Sequence, residues 1–189
     1  CNLTAAEQWL KHACDAGVEA NVVAFTAVIA AAAKSGNLSA AECYFSRAIK
    51  AHVRPNILTF NALIHSAAKQ GNLSAAEHWY TRCQAASVKP DVITFTSLIR
   101  AAGEARQAAR AEAWFREMVR RFQRVSGAID RRALLTASRA IGDRRLMELC
   151  EEVSLDCDAV LHGAPDPASP NARARRERAP RRGAALDRV

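Results

Sequence analysis

Three polar side chains, Asn21, Asn56 and Asp91, recur at 35-residue intervals, and Thr26, Asn61 and Thr96 recur in step with them, five residues further on. Each Asn or Asp follows a turn-forming stretch and precedes an apolar run, so each can cap a helix by accepting its first free N–H groups. The same side chains can also meet a ligand. An amide both donates and accepts, whereas a carboxylate only accepts and needs a donor opposite it. Lys34 and Lys69 keep the same interval and offer positive charge to an anion. Nothing else in the chain converges on chemistry. The five histidines fall at no catalytic spacing, and the six cysteines form no CxxC pair or His/Cys cluster, so they read as small buried hydrophobes in a reducing compartment. There is no glycine-rich phosphate loop, no HExxH and no zinc-deaminase signature. A binding module is expected rather than an enzyme, with no cofactor, no metal and no small-molecule substrate.

The elements that must carry these residues follow from the repeat. Residues 22–56 and 57–91 align without a gap and agree at 17 of 35 positions; residues 92–126 keep the register in degenerate form, and residues 1–21 match the back half of a unit. Each unit reads as two helices. Phe25, Val28, Ile29 and Ala32 lie at i, i+3, i+4, i+7, as do Phe60, Leu63, Ile64 and Ala67. Gly36 and Gly71 follow as helix stops. The second helix is expected to open on capping boxes, Ser39-x-x-Glu42, Ser74-x-x-Glu77 and Thr4-x-x-Glu7. Its inner stripe is Leu38, Ala41, Phe45, Ala48 and then Leu73, Ala76, Tyr80, Cys83, with Trp9, Tyr44, Trp79 and Trp114 as further core aromatics, and Pro55 and Pro90 close the units. One helix pair cannot bury both apolar faces, but stacked pairs can. The fold class is therefore all-α, an α-solenoid of helix-turn-helix repeats.

Composition agrees. No apolar run is long enough to span a membrane. The formal charge is +8, with +8 in residues 22–126 and +5 in residues 171–189, against −2 and −3 elsewhere, so a polyanionic partner suits the repeats themselves. The chain opens on Cys1 and is expected to be a processed product or fragment, its targeting segment out of view.

The period, the run Ile57-Leu58-Thr59-Phe60-Asn61-Ala62-Leu63-Ile64, the turn before Asn72 and the closing Val88-Lys89-Pro90-Asp91 resemble the pentatricopeptide repeat family over residues 1–126. The resemblance implies single-stranded RNA as partner, read at one base per repeat, in RNA processing, stability or translation in a plastid or mitochondrion. It implies reading pairs Thr26/Asn56, Asn61/Asp91 and Thr96/Ser126, with Asn21 as the second half of an incomplete pair. By the family's code these resemble an adenine reader, a uracil reader and a purine-leaning pair. Val23, Leu58 and Ile93 resemble the position that sandwiches each base, and Lys34 and Lys69 the one that contacts phosphate. In the third unit Glu104 replaces that lysine and Arg106 the glycine after it.

Beyond the repeats, residues 127–160 are expected to form a helical C-terminal cap, with Ala133, Leu134, Ala137 and Ile141 on one helix and Leu146, Met147, Leu149, Cys150 and Val153 on a second after Gly142. Residues 161–189, rich in Pro, Ala and Arg, read as a disordered basic tail. The competing expectations are a protein-interaction scaffold and a truncated remnant of a longer array. Three units specify only about three nucleotides, so further repeats or protein partners must supply the remaining selectivity.

Overall fold

The computed structural model describes residues 3–15, 21–123, 128–155 and 157. Among them are nine α-helices and no strand: α1 (Leu3–Asp15), α2 (Val22–Lys34), α3 (Leu38–Lys50), α4 (Ile57–Lys69), α5 (Leu73–Ala85), α6 (Val92–Glu104), α7 (Ala108–Phe122), α8 (Arg131–Ile141) and α9 (Asp143–Glu152). The solenoid expected from the repeat is the observed fold. α2/α3, α4/α5, α6/α7 and α8/α9 are hairpins, and α1 stands where the second helix of a preceding pair would. The first helices pack on one another in an unbroken row from α2 through α4 and α6 to α8, while the second helices meet one another only sparsely. The tighter row is the inner layer and the looser one fans out around it. The expected basic tail lies outside the described residues.

The helix ends follow local chemistry. Asn21, Asn56 and Asp91 are in extended backbone and cap α2, α4 and α6, their side chains accepting from N–H groups in the first turn. Gly36 (φ 77°) and Gly71 (φ 65°) take the left-handed conformation that reverses the chain between the two helices. In the third unit Arg106 holds it at φ 56°, a conformation unfavourable to a side chain with a Cβ. The capping boxes expected on the second helix are corrected. Asn37 and Asn72 are the N-caps of α3 and α5, and Ser39 and Ser74 already lie inside the helix. The second helices also end before their prolines: α3 stops at Lys50 and α5 at Ala85, turned by His52 and Ser87 at positive φ.

The core is built between units. Phe45 of α3 lies 5.6 Å from Phe60 of α4 and 4.9 Å from Trp79 of α5; one unit later Tyr80 lies 5.7 Å from Phe95 of α6 and 4.9 Å from Trp114 of α7. Fully burying a large apolar side chain contributes roughly 1.5–3 kcal/mol, and Phe60, Phe95 and Phe115 are all buried in this way. Polar clips run alongside. Trp79 Nε1 donates to Glu42 and Trp114 Nε1 to Glu77, each at 3.1 Å. These are the carboxylates expected to be capping-box partners. Trp9 is corrected as well: it is 76% exposed, because no described unit precedes α1 to cover it. Met147, expected on the inner stripe of α9, is also exposed.

The cysteines depart from expectation too. Cys83 is buried with its thiol pushed up to about 11 by burial, but Cys43 is exposed, and Cys150 and Cys157 are joined in a disulfide under the last helix.

Gly103 is where the inner row is tightest. A Cβ there would lie 2.7 Å from Ala140 Cβ and 2.9 Å from Ala140 Cα on α8. Gly103→Ala is therefore expected to destabilise by about 1–3 kcal/mol through overpacking, despite alanine's better helix propensity. Urea unfolding would check this: a midpoint at or above that of the unsubstituted chain would show that the close approach carries no constraint.

Candidate nucleic-acid interface

The N-caps of the inner helices place the recurring polar residues at the junctions between units. At the second junction the expected partners touch. Asn61 Nδ2 donates to both carboxylate oxygens of Asp91, at 3.0 and 3.1 Å, and Thr94 Oγ1 donates to Asn61 Oδ1 at 2.6 Å. Asp91 Oδ1 also accepts from Thr94 N at 2.9 Å. Asn61 is only 7% exposed, with its amide hydrogen-bonded to Thr94 and Asp91, while Asp91 is more open. At the first junction the link is indirect. Thr26 Oγ1 and Thr59 Oγ1 share a hydrogen bond of 2.8 Å, and Thr59 donates from both N and Oγ1 to Asn56 Oδ1. That leaves the Asn56 amide nitrogen as its open group. Asn21 is exposed and accepts from Val23 N and Ala24 N.

Ser126 lies outside the described residues. The residue standing where Asn56 and Asp91 stand, as the extended N-cap of the next inner helix, is Asp130, whose Oδ1 accepts from Ala133 N. Thr96 turns its hydroxyl back onto Val92 O at 2.7 Å. The step from Asp91 to Asp130 is longer than the repeat period, which hid Asp130 from a strict 35-residue alignment. A visible signal did exist: an aspartate immediately ahead of the Ala133, Leu134, Ala137 stripe is a helix-start pattern.

Beside each cap, one residue into the helix, stand Val23, Leu58 and Ile93, which are 69%, 59% and 60% exposed. With Phe25, Phe60 and Phe95 of the same helices buried, this is a regular apolar stripe open to solvent. In α8 its place is taken by Arg132. Lys69 Nζ donates to the Lys34 carbonyl at 2.8 Å, and Gln70 Nε2 donates to Gly36 O, so the two turns are tied together and the exposed Lys69 ammonium is held near the groove's edge. Glu104 occupies the equivalent place in α6.

A row of one imidazole and two guanidinium groups, missed at the sequence level, runs along the middle of α4, α6 and α8. His65 of α4, Arg100 of α6 and Arg139 of α8 occupy one register. Arg100 Nη2 donates to His65 Nδ1 at 2.7 Å. Burial, with Arg100, Lys69 and Arg132 adding positive charge, lowers the His65 pKa to about 4, so the ring is neutral and accepts. Arg100 is itself drawn below the usual arginine range by burial, with Arg132 adding to the effect and Glu104 opposing it.

Residues 10–78 match the pentatricopeptide repeat domain, residues 55–104 the PPR repeat family and residues 93–121 the PPR repeat, together more than half of the chain. No curated protein sequence matches. Among solved structures, the chain is similar to the pentatricopeptide repeat protein PPR10 in complex with an 18-nt psaJ RNA element, at 23% identity and a TM-score of 0.61 over 77% of this chain and 21% of that one. It is also similar to the PPR domain of Arabidopsis thaliana protein-only RNase P 1 (PRORP1) in complex with tRNA, at 15% identity and a TM-score of 0.64 over 93% of this chain and 88% of that one. The chain thus spans about a fifth of the length of PPR10.

Because the His65 proton is bound more weakly in the fold than in the unfolded chain, its contribution to stability is complete above pH 6.5 and is lost as pH falls from there to about 4. His65→Gln keeps an acceptor for Arg100 without a titrating ring. Its melting temperature is expected to fall less than that of the unsubstituted chain between pH 6.5 and pH 4; parallel curves would contradict the assignment.

Proposed function

This chain belongs to the pentatricopeptide repeat family, and on that footing we propose that it binds single-stranded RNA along its inner row of helices, one base per unit, in the RNA processing, stability or translation of a plastid or mitochondrion. The observation that carries the reading is the exposed stripe Val23, Leu58, Ile93, set at each junction beside a polar pair. Apolar side chains standing one unit apart suit the faces of successive bases, and stacking of that kind accepts any base. Choice among bases then falls to the polar residues. Two neighbours of this fold, PPR10 and the PRORP1 domain, are seen with RNA.

The open valences at each junction suggest the base. Asn56 has its oxygen occupied by Thr59 and offers N–H, which complements adenine N1. Asp91 already accepts from Asn61 and Thr94, and its residual capacity suits the single donor of uracil N3–H. Asp130 accepts only from Ala133 N among the described residues, so a carboxylate edge is open for two adjacent donors, the N1–H and N2–H of guanine. The proposed site is 5′-A-U-G-3′, read by Thr26/Asn56, Asn61/Asp91 and Thr96/Asp130.

A peptide scaffold is the second reading, since an exposed apolar stripe also suits a peptide; capping alone would account for the polar residues there, but it gives no use to the open Asn56 amide nitrogen. Fluorescence anisotropy with short labelled RNAs separates the two. Exchanging A and U in the site is expected to weaken binding about tenfold or more, in line with roughly 1–3 kcal/mol for a mispaired base contact. Asp91→Asn keeps the N-cap and is expected to shift the middle preference from U towards A, with a lower melting temperature because Asn61 Nδ2 keeps one acceptor in place of two. Equal affinity for every exchange, or an unchanged preference in Asp91→Asn, refutes base reading.

A further inference from the structure

Over the last two helix pairs, α6/α7 and α8/α9, arginines are treated differently on the two layers. In the outer layer every arginine of α7 and α9 is paired with a carboxylate: Arg110 with Glu77, Arg116 with Glu112 and Glu152, Arg120 and Arg121 with Glu117, Arg144 with Glu148, and Arg145 with Glu112, Glu148 and Glu152. In the inner layer, Arg100 of α6 and Arg131, Arg132 and Arg139 of α8 make no ion pair among the described residues. They line a cleft of about 730 Å³ between the two helices, with Glu104 and Asp130 as its acidic members. Four guanidinium groups thus face two carboxylates, leaving positive charge over. A smaller hollow of about 260 Å³ shares Arg100, Asp130 and Arg132 with it and reaches Ile93 and Thr96, so the basic cleft opens next to the third reading position.

Two details indicate what the cleft suits. Arg100 Nε is buried and has no hydrogen-bond partner among the described residues, and a buried donor left unmade is costly. Arg100 also sits one unit along from His65, in the register Arg139 takes next, so the cations of the two helices line up along the groove. The complement to such a lining is an acceptor-only anion. A phosphodiester matches it, because its oxygens suit the planar fork of a guanidinium and need no donor in return. This is also the unit in which Glu104 stands at the place of Lys34 and Lys69, so the positive charge absent from the helix end is present at mid-helix instead.

We propose that Arg100, Arg132 and Arg139 form a seat for a backbone phosphate of the RNA strand, next to the nucleotide met by Thr96 and Asp130. The inference rests on the RNA-binding reading above. The seat fixes the position of the strand at the α6/α8 end of the groove without selecting a base.

The test uses the full chain carrying Arg132→Gln and Arg139→Gln together; both residues are exposed, so the inner row keeps its packing, which circular dichroism would check. RNA affinity is measured by anisotropy over a range of KCl concentrations with the A-U-G oligonucleotide and its base-exchanged versions. The double variant is expected to bind all of them about tenfold more weakly, with the slope of log affinity against log salt shallower by about 0.7 for each phosphate no longer neutralised. Unchanged affinity and slope, or a weakening confined to one base, would overturn the seat. A second readout needs no RNA: inorganic phosphate, compared with chloride at equal ionic strength, is expected to raise the melting temperature of the unsubstituted chain and not that of the variant. If the unsubstituted chain ignores RNA but keeps this phosphate effect, the RNA reading fails and an anion site remains. If it binds RNA and the double variant matches it, the seat fails and the RNA reading stands.

Discussion

Phe45 and Tyr80 each sit in a three-way aromatic contact that no single helix pair can make for itself. Each projects from the second helix of one unit between the two helices of the next, touching a phenylalanine on the inner helix and a tryptophan on the outer one. The stability of any unit is therefore shared with its neighbour, as in a one-dimensional stack. The spacing of these contacts also decides how far apart successive inner helices lie. Everything on the inner surface inherits that spacing, from the caps and the apolar stripe to the mid-helix cations. The Trp79–Glu42 and Trp114–Glu77 hydrogen bonds fix the same register from the outer side, so a shift of one unit against the next would break apolar and polar contacts together.

Charge is sorted by layer on this frame. The outer arginines of α7 and α9 are held in carboxylate networks, most of them solvent-exposed and individually worth little. Their collective effect is to cancel positive charge where no ligand is expected. On the inner side Arg100 is half-buried and Arg132 and Arg139 are exposed, with no ion pair to any of them among the described residues, so over α6 to α9 the unpaired positive charge lies on the inner face. A field shaped in this way attracts a polyanion to one face rather than to the whole surface.

Most of the fold was legible in the sequence because the repeat runs without a gap over two units and keeps 17 of 35 positions identical. The apolar stripes beginning at Phe25 and Phe60 and the glycine turns are local patterns, and they stand as expected. What was misjudged depends on neighbours. Whether Trp9 is core or surface turns on a covering unit that sequence spacing alone does not supply. Glu42 and Glu77 fit a capping box by spacing, yet Asn37 and Asn72 outcompete Ser39 and Ser74 as caps by starting the helix earlier, and the carboxylates are then drawn to tryptophans 37 residues away. The polar pairs were legible by register, but not that Asn61 would be buried against Asp91. The pairing of Cys150 with Cys157 across the end of α9 carries no motif at all. The arginine cleft was invisible for a different reason: its members belong to two helices whose separation in the chain departs from the period.

That departure bears on how such a protein can change. Between Asp91 and Asp130 the chain takes a longer path than between Asn56 and Asp91, and still α8 packs on α6 closely enough for Gly103 to admit no side chain. Two of the four extra residues lengthen α7, which has 15 residues where α5 has 13, and two follow it before Asp130, while the inner row stays intact. Pitch along the groove is thus a property of helix contact rather than of residue count. Insertions at outer connections can accumulate, or be engineered in, while the ruler along the inner face keeps its graduations.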